Sequence, residues 1–489
     1  MSTQTAKFVE GSTMRHILVM SGTASIGLMA LFVVDLMDML FISMLGQVEL
    51  AAAVGFAGTL TFFSTSVSIG SSIAMGALVS KALGAKKRQY ARQIAASTLV
   101  VAFVISVVVT SIMFVNISEL LAAIGATGFA AERAEAYLQI LLPSSPFIAL
   151  AMVAGAGLRA VGDAKRSMWA TLAGGIINAI LDPLFIFGFG WNVEGAAAAS
   201  VVARFTVLVF SMVPLVRIHD LVGRPQFGIV KEHLPTILAI ALPAIITNTA
   251  TPIGNAIVTT NIAQFGENFV AGFAVIGRIM PVAFAVIFAL SGAVGPIIGQ
   301  NYGAGRLDRV KETLYNALIF VTIYCISVTA ILYMAQGLII SSFSLTGDAA
   351  ILVSAFCSFV ALTFVFNGAL FVANASFNNL GKPFYSTSLN LGKATLGTLP
   401  FVYFGAQWFG ALGVIYGQAA GSILFGIIGI IVLRKHIGDL MSDVIVDVDN
   451  IDPAVKCVTM TPFSSTDVVA AEELPVQQFD LASRNQNVN

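Results

Sequence analysis

Residues 17–45 read ILVMSGTASIGLMALFVVDLMDMLFISML, an apolar run whose only charges are Asp35 and Asp38. About 20 apolar residues suffice for a helix to cross the ~30 Å hydrocarbon core of a bilayer, so this run is a membrane span with length to spare. A carboxylate near the middle of such a helix costs roughly 2.5 to 3.5 kcal/mol on insertion scales. Acids placed there therefore face a bundle interior, find partners and mark an ion or proton path. Asp35 and Asp38 stand three residues apart, so they point in different directions yet both reach one water-filled cavity.

A second apolar run, Leu172 to Phe189, repeats the situation in Asn178-Ala-Ile-Leu-Asp182-Pro183. The four-residue spacing puts the amide and the carboxylate on one helical face. Pro183 cannot donate to the carbonyl of Ala179, which frees an oxygen within a kinked helix. Asn178, Asp182 and freed carbonyls suit a proton or a small cation; the structural alternative is a kink capped by Asn178. Ser200, in the small-residue run Gly195 to Ser200, either adds an oxygen ligand or helps helices pack closely.

The rest of the chain has the same character. Of its 489 residues 57% are hydrophobic and 10% charged, with mean hydropathy +0.90, too little charge to clothe a soluble globule of this size. The fold class is therefore an all-α polytopic membrane protein embedded in the lipid bilayer. The formal net charge is zero, so no nucleic-acid partner is expected. Cys325, Cys357 and Cys457 are scattered and lack a histidine at metal-ligand spacing, so neither a disulfide framework nor a metal site or cofactor is expected. The run at 17–45 is too long for a signal-peptide core and stays as the first span. No Gly-x-x-x-x-Gly-Lys-Ser/Thr loop occurs, so direct coupling to ATP is not expected.

Hydropathy places about twelve spans, near 17–45, 51–80, 92–115, 135–158, 168–190 and 195–217, then 236–264, 269–300, 313–336, 350–376, 384–408 and 411–433. Loops after even-numbered spans are basic, with Lys81, Lys86, Lys87, Arg88 and Arg92 in one and Arg159, Lys165 and Arg166 in another. Loops after odd-numbered spans are acidic or uncharged, apart from Arg133. Positive short loops stay cytoplasmic, so both termini are expected there. Gly76–Arg92 resembles Gly295–Lys311, and the pairs Gly84/Gly303 and Gly162/Gly381 share one offset (303 − 84 = 381 − 162 = 219). A fixed offset of this kind marks a duplicated transporter whose halves relate by an axis along the membrane normal.

The expected division is a cytoplasmic N-terminus at 1–16, a first lobe at 17–218, a cytoplasmic linker at 219–235, a second lobe at 236–434 and a disordered acidic tail at 435–489. The second lobe has no acid comparable to Asp38 or Asp182. It offers Arg278 and Lys393 within apolar runs and an amide-rich set that includes Asn255 and Asn374. Arg278, Asn255 and Asn374 are candidate substrate contacts, although snorkelling and helix packing account for such residues too.

Three stretches carry a resemblance: Val34-Asp35-Leu36-Met37-Asp38-Met39-Leu40-Phe41 leading to Gly46, Gly157-Leu158-Arg159-Ala160-Val161-Gly162-Asp163, and Asn178 to Pro183. On the duplicated frame they look like a member of the multidrug and toxic compound extrusion family, over about Met14 to Arg434. The resemblance implies a V-shaped pair of six-helix lobes in the plasma (inner) membrane, acting as a monomer. It also implies export of amphipathic, often cationic compounds by antiport against protons or sodium, with protons slightly favoured. In the DinF-like branch the coupling site lies in the first lobe; carried over here it comprises Asp38, Asn178 and Asp182, with Ser200 where that pattern usually has threonine and Asp35 as an additional acid. The NorM-like branch has acids in the seventh and tenth spans, which this chain lacks. Two alternatives compete with it: a flippase of lipid-linked oligosaccharides, which needs a cationic cavity for a pyrophosphate, and an intramembrane aspartyl protease, whose Tyr-Asp and Gly-x-Gly-Asp settings are missing around Asp38 and Asp182.

Overall fold

The computed structural model describes residues 6–45 and 48–449. The chain divides into two compact units, Met1–Leu433 and Arg434–Asn489. Most of the expected acidic tail, from residue 450 on, and with it Cys457, lies outside the described residues. Among the described residues every regular element is helical. The first half comprises α1 (Thr13–Ser43), α2 (Val48–Gly84), α3 (Arg88–Val115), a short α4 (Ile117–Ala123), α5 (Gly128–Leu141), α6 (Ser145–Ala160), α7 (Ala164–Pro183) and α8 (Asn192–Val213). The second comprises α9 (Phe227–Ala263), α10 (Glu267–Ala283), α11 (Ala285–Gly303), α12 (Leu307–Ser342), α13 (Gly347–Ala355), α14 (Phe364–Asn379), α15 (Pro383–Ala394) and α16 (Leu399–Asp449).

Eleven helical segments among the described residues are long and apolar enough to cross a membrane, and one of them, Pro383–Ser442, makes two crossings. The reversal is at Gly410, whose φ of +61° is left-handed. The flanking glycines show the antiparallel return: a Cβ on Gly421 would strike the Gly397 carbonyl, one on Gly417 that of Phe401, and one on Gly413 that of Gly405. Small residues let the two backbones touch where lipid gives no hydrophobic drive to associate. Twelve crossings result.

Three spans that hydropathy places as single runs are broken. The fourth consists of α5 and α6, joined by a tight turn at Leu142–Ser144 around Pro143. The tenth, its partner in the repeat, consists of α13 and α14 with wide and tight turns over Phe356–Thr363. The eighth, expected as one helix over 269–300, is interrupted at Phe284 between α10 and α11. Pro281 lies three residues before that break and cannot donate to the preceding turn. At the end of the fifth span α7 stops at Pro183 and Leu184–Gly188 continues as a wider, π-type turn.

The duplication is visible in packing. Helix α1 lies against α7 and α11, and its repeat counterpart α9 lies against α15 and α2. At the centre α2 and α11 cross so closely that a Cβ on Gly84 would collide with the Gln300 backbone, and one on Gly303 with that of Lys81. The repeat-related Gly162 and Gly381 both adopt positive φ, +83° and +78°, in the turns α6–α7 and α14–α15. The connector after α8 is irregular over residues 220–226, while 227–235, expected as linker, already belong to α9; it is held by a 2.9 Å Arg92–Asp220 ion pair and a 3.1 Å bond from Gly223 N to Arg92 O. Arg133, the cation out of place among acidic loops, pairs with Glu194 at 3.0 Å.

Candidate coupling site and cavity

Helices α1 and α7 pack side by side, which brings residues 140 positions apart into one polar cluster. Asn178 Nδ2 donates to Asp38 Oδ1 at 3.0 Å and to Asp182 Oδ2 at 2.6 Å. The second bond spans one turn of α7, as the i, i+4 spacing requires. Asp182 is fully buried and Asn178 nearly so. The remaining carboxylate oxygen, Asp182 Oδ1, is buried and receives no nitrogen or hydroxyl donor. Asp38 and Asp182 are thus joined through one amide. Two carboxylates bridged by one amide repel one another, and a proton or a cation bound between them would relieve that repulsion.

The cluster forms part of the wall of a cavity of about 770 Å³. Asp35, Asp38, Asn178 and Ser200 line it, while Asp182 stands behind Asn178 and out of the lining. Asp35 is exposed and points into this space rather than into the cluster. Most of the wall comes from α1, α2, α6, α7 and α8, and Phe288, Ala289 and Gly292 of α11 close it from the second half. The candidate substrate contacts Asn255, Arg278 and Asn374 do not line it: Asn255 and Arg278 are exposed on α9 and α10, and Asn374 is buried in α14. Lys393 donates to Asn367 in the second half.

Three lining residues were not singled out from the sequence. Tyr137 of α5 has Ser200 and Arg204 as polar neighbours, with Asp38 and Asp182 in its electrostatic surroundings. Arg204 of α8 donates to Leu141 O at 3.2 Å and Ser144 Oγ at 2.9 Å, which ties α8 to the break in the fourth span. Hydropathy groups Arg159 with the loop cations, and the structure corrects this: it stands in the last turn of α6, lines the cavity and donates to Ser167 Oγ at 2.9 Å. A signal for Arg204 was available, because it is a charge inside the sixth apolar run. No composition signal marks Tyr137.

Among the described residues no group of three or more His, Cys, Asp or Glu side chains could hold a metal ion, and Cys325 and Cys357 are buried and free. The MatE family profile matches residues 24–184 and again 243–404, beginning 219 residues apart (243 − 24), the offset of the glycine pairs. The chain belongs to the MatE family. Similar curated proteins include an FAD transporter of Shewanella oneidensis, 27% identical over 84% of this chain and 92% of that protein. The multidrug export protein MepA of Staphylococcus saprophyticus is 22% identical over 84% of this chain and 91% of that protein. Among solved structures, a MATE transporter of Vibrio cholerae superposes with a TM-score of 0.83 at 22% identity, covering 87% of this chain and 97% of that one. A crystal structure of MATE in complex with MaL6 gives 0.83 at 23% identity over 89% and 99%. This MATE chain is thus a two-lobed multi-pass membrane transporter of a multidrug efflux family, and not an enzyme.

Proposed function

We propose that this MATE protein exports amphipathic, cationic organic compounds across the plasma (inner) membrane by antiport against protons, with both termini cytoplasmic and the monomer as the working unit. The observation that carries the reading is the Asn178 amide bridging Asp38 and Asp182 at the cavity wall. The amide presents N–H groups to both carboxyls, an arrangement suited to a pair that shares one proton. A sodium ion at the same place would require Asn178 to turn its oxygen inward, adding a third oxygen to those of Asp38 and Asp182. Protonation of the pair removes charge from the contact between α1 and α7, and the change in packing drives the organic passenger out of the cavity. One proton moving inward supplies roughly 2.3 kcal/mol per 100 mV, besides its concentration gradient.

The test is export from proteoliposomes at fixed membrane potential, with proton and sodium gradients imposed separately. Wild type is expected to export ethidium in response to the pH gradient, and Asp38→Asn to lose that response; undiminished export by the mutant overturns the assignment.

A second reading, an organic anion as passenger, is favoured by Arg159 and Arg204, two guanidinium groups lining the same cavity. The Shewanella relative bears the name FAD transporter. A dianionic flavin nucleotide would meet these arginines where a lipophilic cation would meet Asp35 and Asp38. FAD efflux from loaded proteoliposomes, measured beside ethidium efflux, separates the two passengers.

A further inference from the structure

Arg159 is a charged group in a membrane cavity with little to hold it in place. Its Nη1 donates to Ser167 Oγ, and no carboxylate forms an ion pair with it among the described residues. The neighbouring Arg166 is the one that goes to Asp163. A guanidinium carries five N–H donors, so one bond to a hydroxyl leaves most of its donor capacity available. Two glycines lie beside it, one from each half. A Cβ on Gly155 of α6 would lie 3.5 Å from Nη1, and one on Gly292 of α11, in the other half, 3.7 Å from Nε. The head group thus occupies a slot between the two halves at the base of the cavity.

The Asp38 cluster is too far away to serve as its counter-ion, and Asp163 is taken by Arg166 and His219. Ser167 and Asn178 are eleven residues apart on α7, which places the Arg159 slot about 16 Å along the helix from the Asp38 cluster. An uncompensated cation away from bulk water is costly, and a planar fork of N–H donors matches the oxygens of a phosphate or carboxylate in paired bonds. Ser167 adds a hydroxyl at the same point, and Met152, Met168, Leu31 and Phe288 supply an apolar wall beside it.

We propose that Arg159 and Ser167 form a binding subsite for the phosphate group of an aromatic phosphate ester, with the body of the ligand along the apolar wall. This rests on the organic-anion reading above and deepens it by naming the subsite. The test is equilibrium binding by the purified full-length protein in detergent, without any gradient, using riboflavin and riboflavin 5′-phosphate, which differ only by the phosphate. Wild type is expected to prefer the phosphate ester at least tenfold. Arg159→Gln brings the ratio close to one without weakening riboflavin itself, and Arg159→Lys recovers part of it. Ser167→Ala lowers the ratio severalfold and carries the test alone should Arg159→Gln not fold. A wild-type preference that survives in Arg159→Gln, or in Ser167→Ala if that variant stands alone, overturns the subsite and leaves the organic-anion reading standing. Equal wild-type affinities for the two compounds overturn both.

Discussion

Asn178 donates to two acids at once, so its amide does the work of two hydrogen bonds. Asn178→Leu keeps the volume and removes both N–H donors. A buried polar group left without its partner costs about 1–3 kcal/mol. The variant is expected to unfold several degrees lower than wild type in detergent and to lose gradient-driven export. Asp182→Asn in the same background should recover part of the thermal loss, since it replaces one of the two carboxyls left without their donor; equal melting temperatures for wild type and Asn178→Leu would refute the bridge. These residues were legible from sequence because an acid within an apolar run is costly wherever it falls. Arg159 was not, because an arginine at a span end looks the same whether it snorkels to the loop or turns inward. The difference lies in tertiary neighbours, the Ser167 hydroxyl and the cavity wall, which no hydropathy window reads.

The turn between α6 and α7 depends on Asp163, which caps α7 by accepting from Arg166 N at 3.2 Å and also accepts from His219 Nε2 at 2.7 Å beyond the end of α8. Burial acts to raise this carboxyl, but the bonds from His219 and Arg166 outweigh it and hold Asp163 well below the usual carboxylate range. A carboxyl lowered in the folded state contributes stability at every pH above its unfolded value of about 3.9, and loses it as pH falls through the folded value. The melting-temperature gap between wild type and Asp163→Asn should therefore persist at pH 5 and narrow only below about pH 4. A gap that closes between pH 7 and pH 5 would exclude the carboxylate as its source. The α16 hairpin makes a steric demand instead: Gly417→Leu drives a side chain into the Phe401 carbonyl and should abolish a monodisperse peak on size exclusion. Span positions were legible from hydropathy, whereas the breaks in the fourth, eighth and tenth spans were not. A 19-residue average smooths over a turn of three residues, and Pro143 and Pro281 were the only local hints.

In the whole molecule the two halves are fastened at the end where Gly84 and Gly303 cross, and the segment before α1 reinforces the seam. Lys7 Nζ donates to Gly162 O at 2.9 Å on one half, while Phe8 N donates to Gln300 Oε1 at 2.9 Å on the other. Asn301 and Arg309 both donate to the Phe8 carbonyl, and Gln300 Nε2 reaches Ala160 O at 2.7 Å. The Phe8 ring is buried. In the proposed antiport cycle, alternating exposure of the cavity requires this end to part, so everything that bridges it must be released each time. Lys81 Nζ stands 4.8 Å from the Tyr302 ring centre, one side chain on α2 and the other on α11. In a background with Cys457→Ser, where Cys325 and Cys357 are buried, a Lys81→Cys/Tyr302→Cys pair joined by a short bifunctional maleimide should stop export. Each single-cysteine variant treated alike should continue to export. Export that survives a complete cross-link would show that the halves do not separate there and that the cavity empties by bending within the first half alone. Phe8→Ala tests the same seam from the other direction. It removes a buried ring without touching the cavity, and should let a thiol reagent supplied from that side label a cysteine at Ser80 faster than in the protein with Phe8 intact.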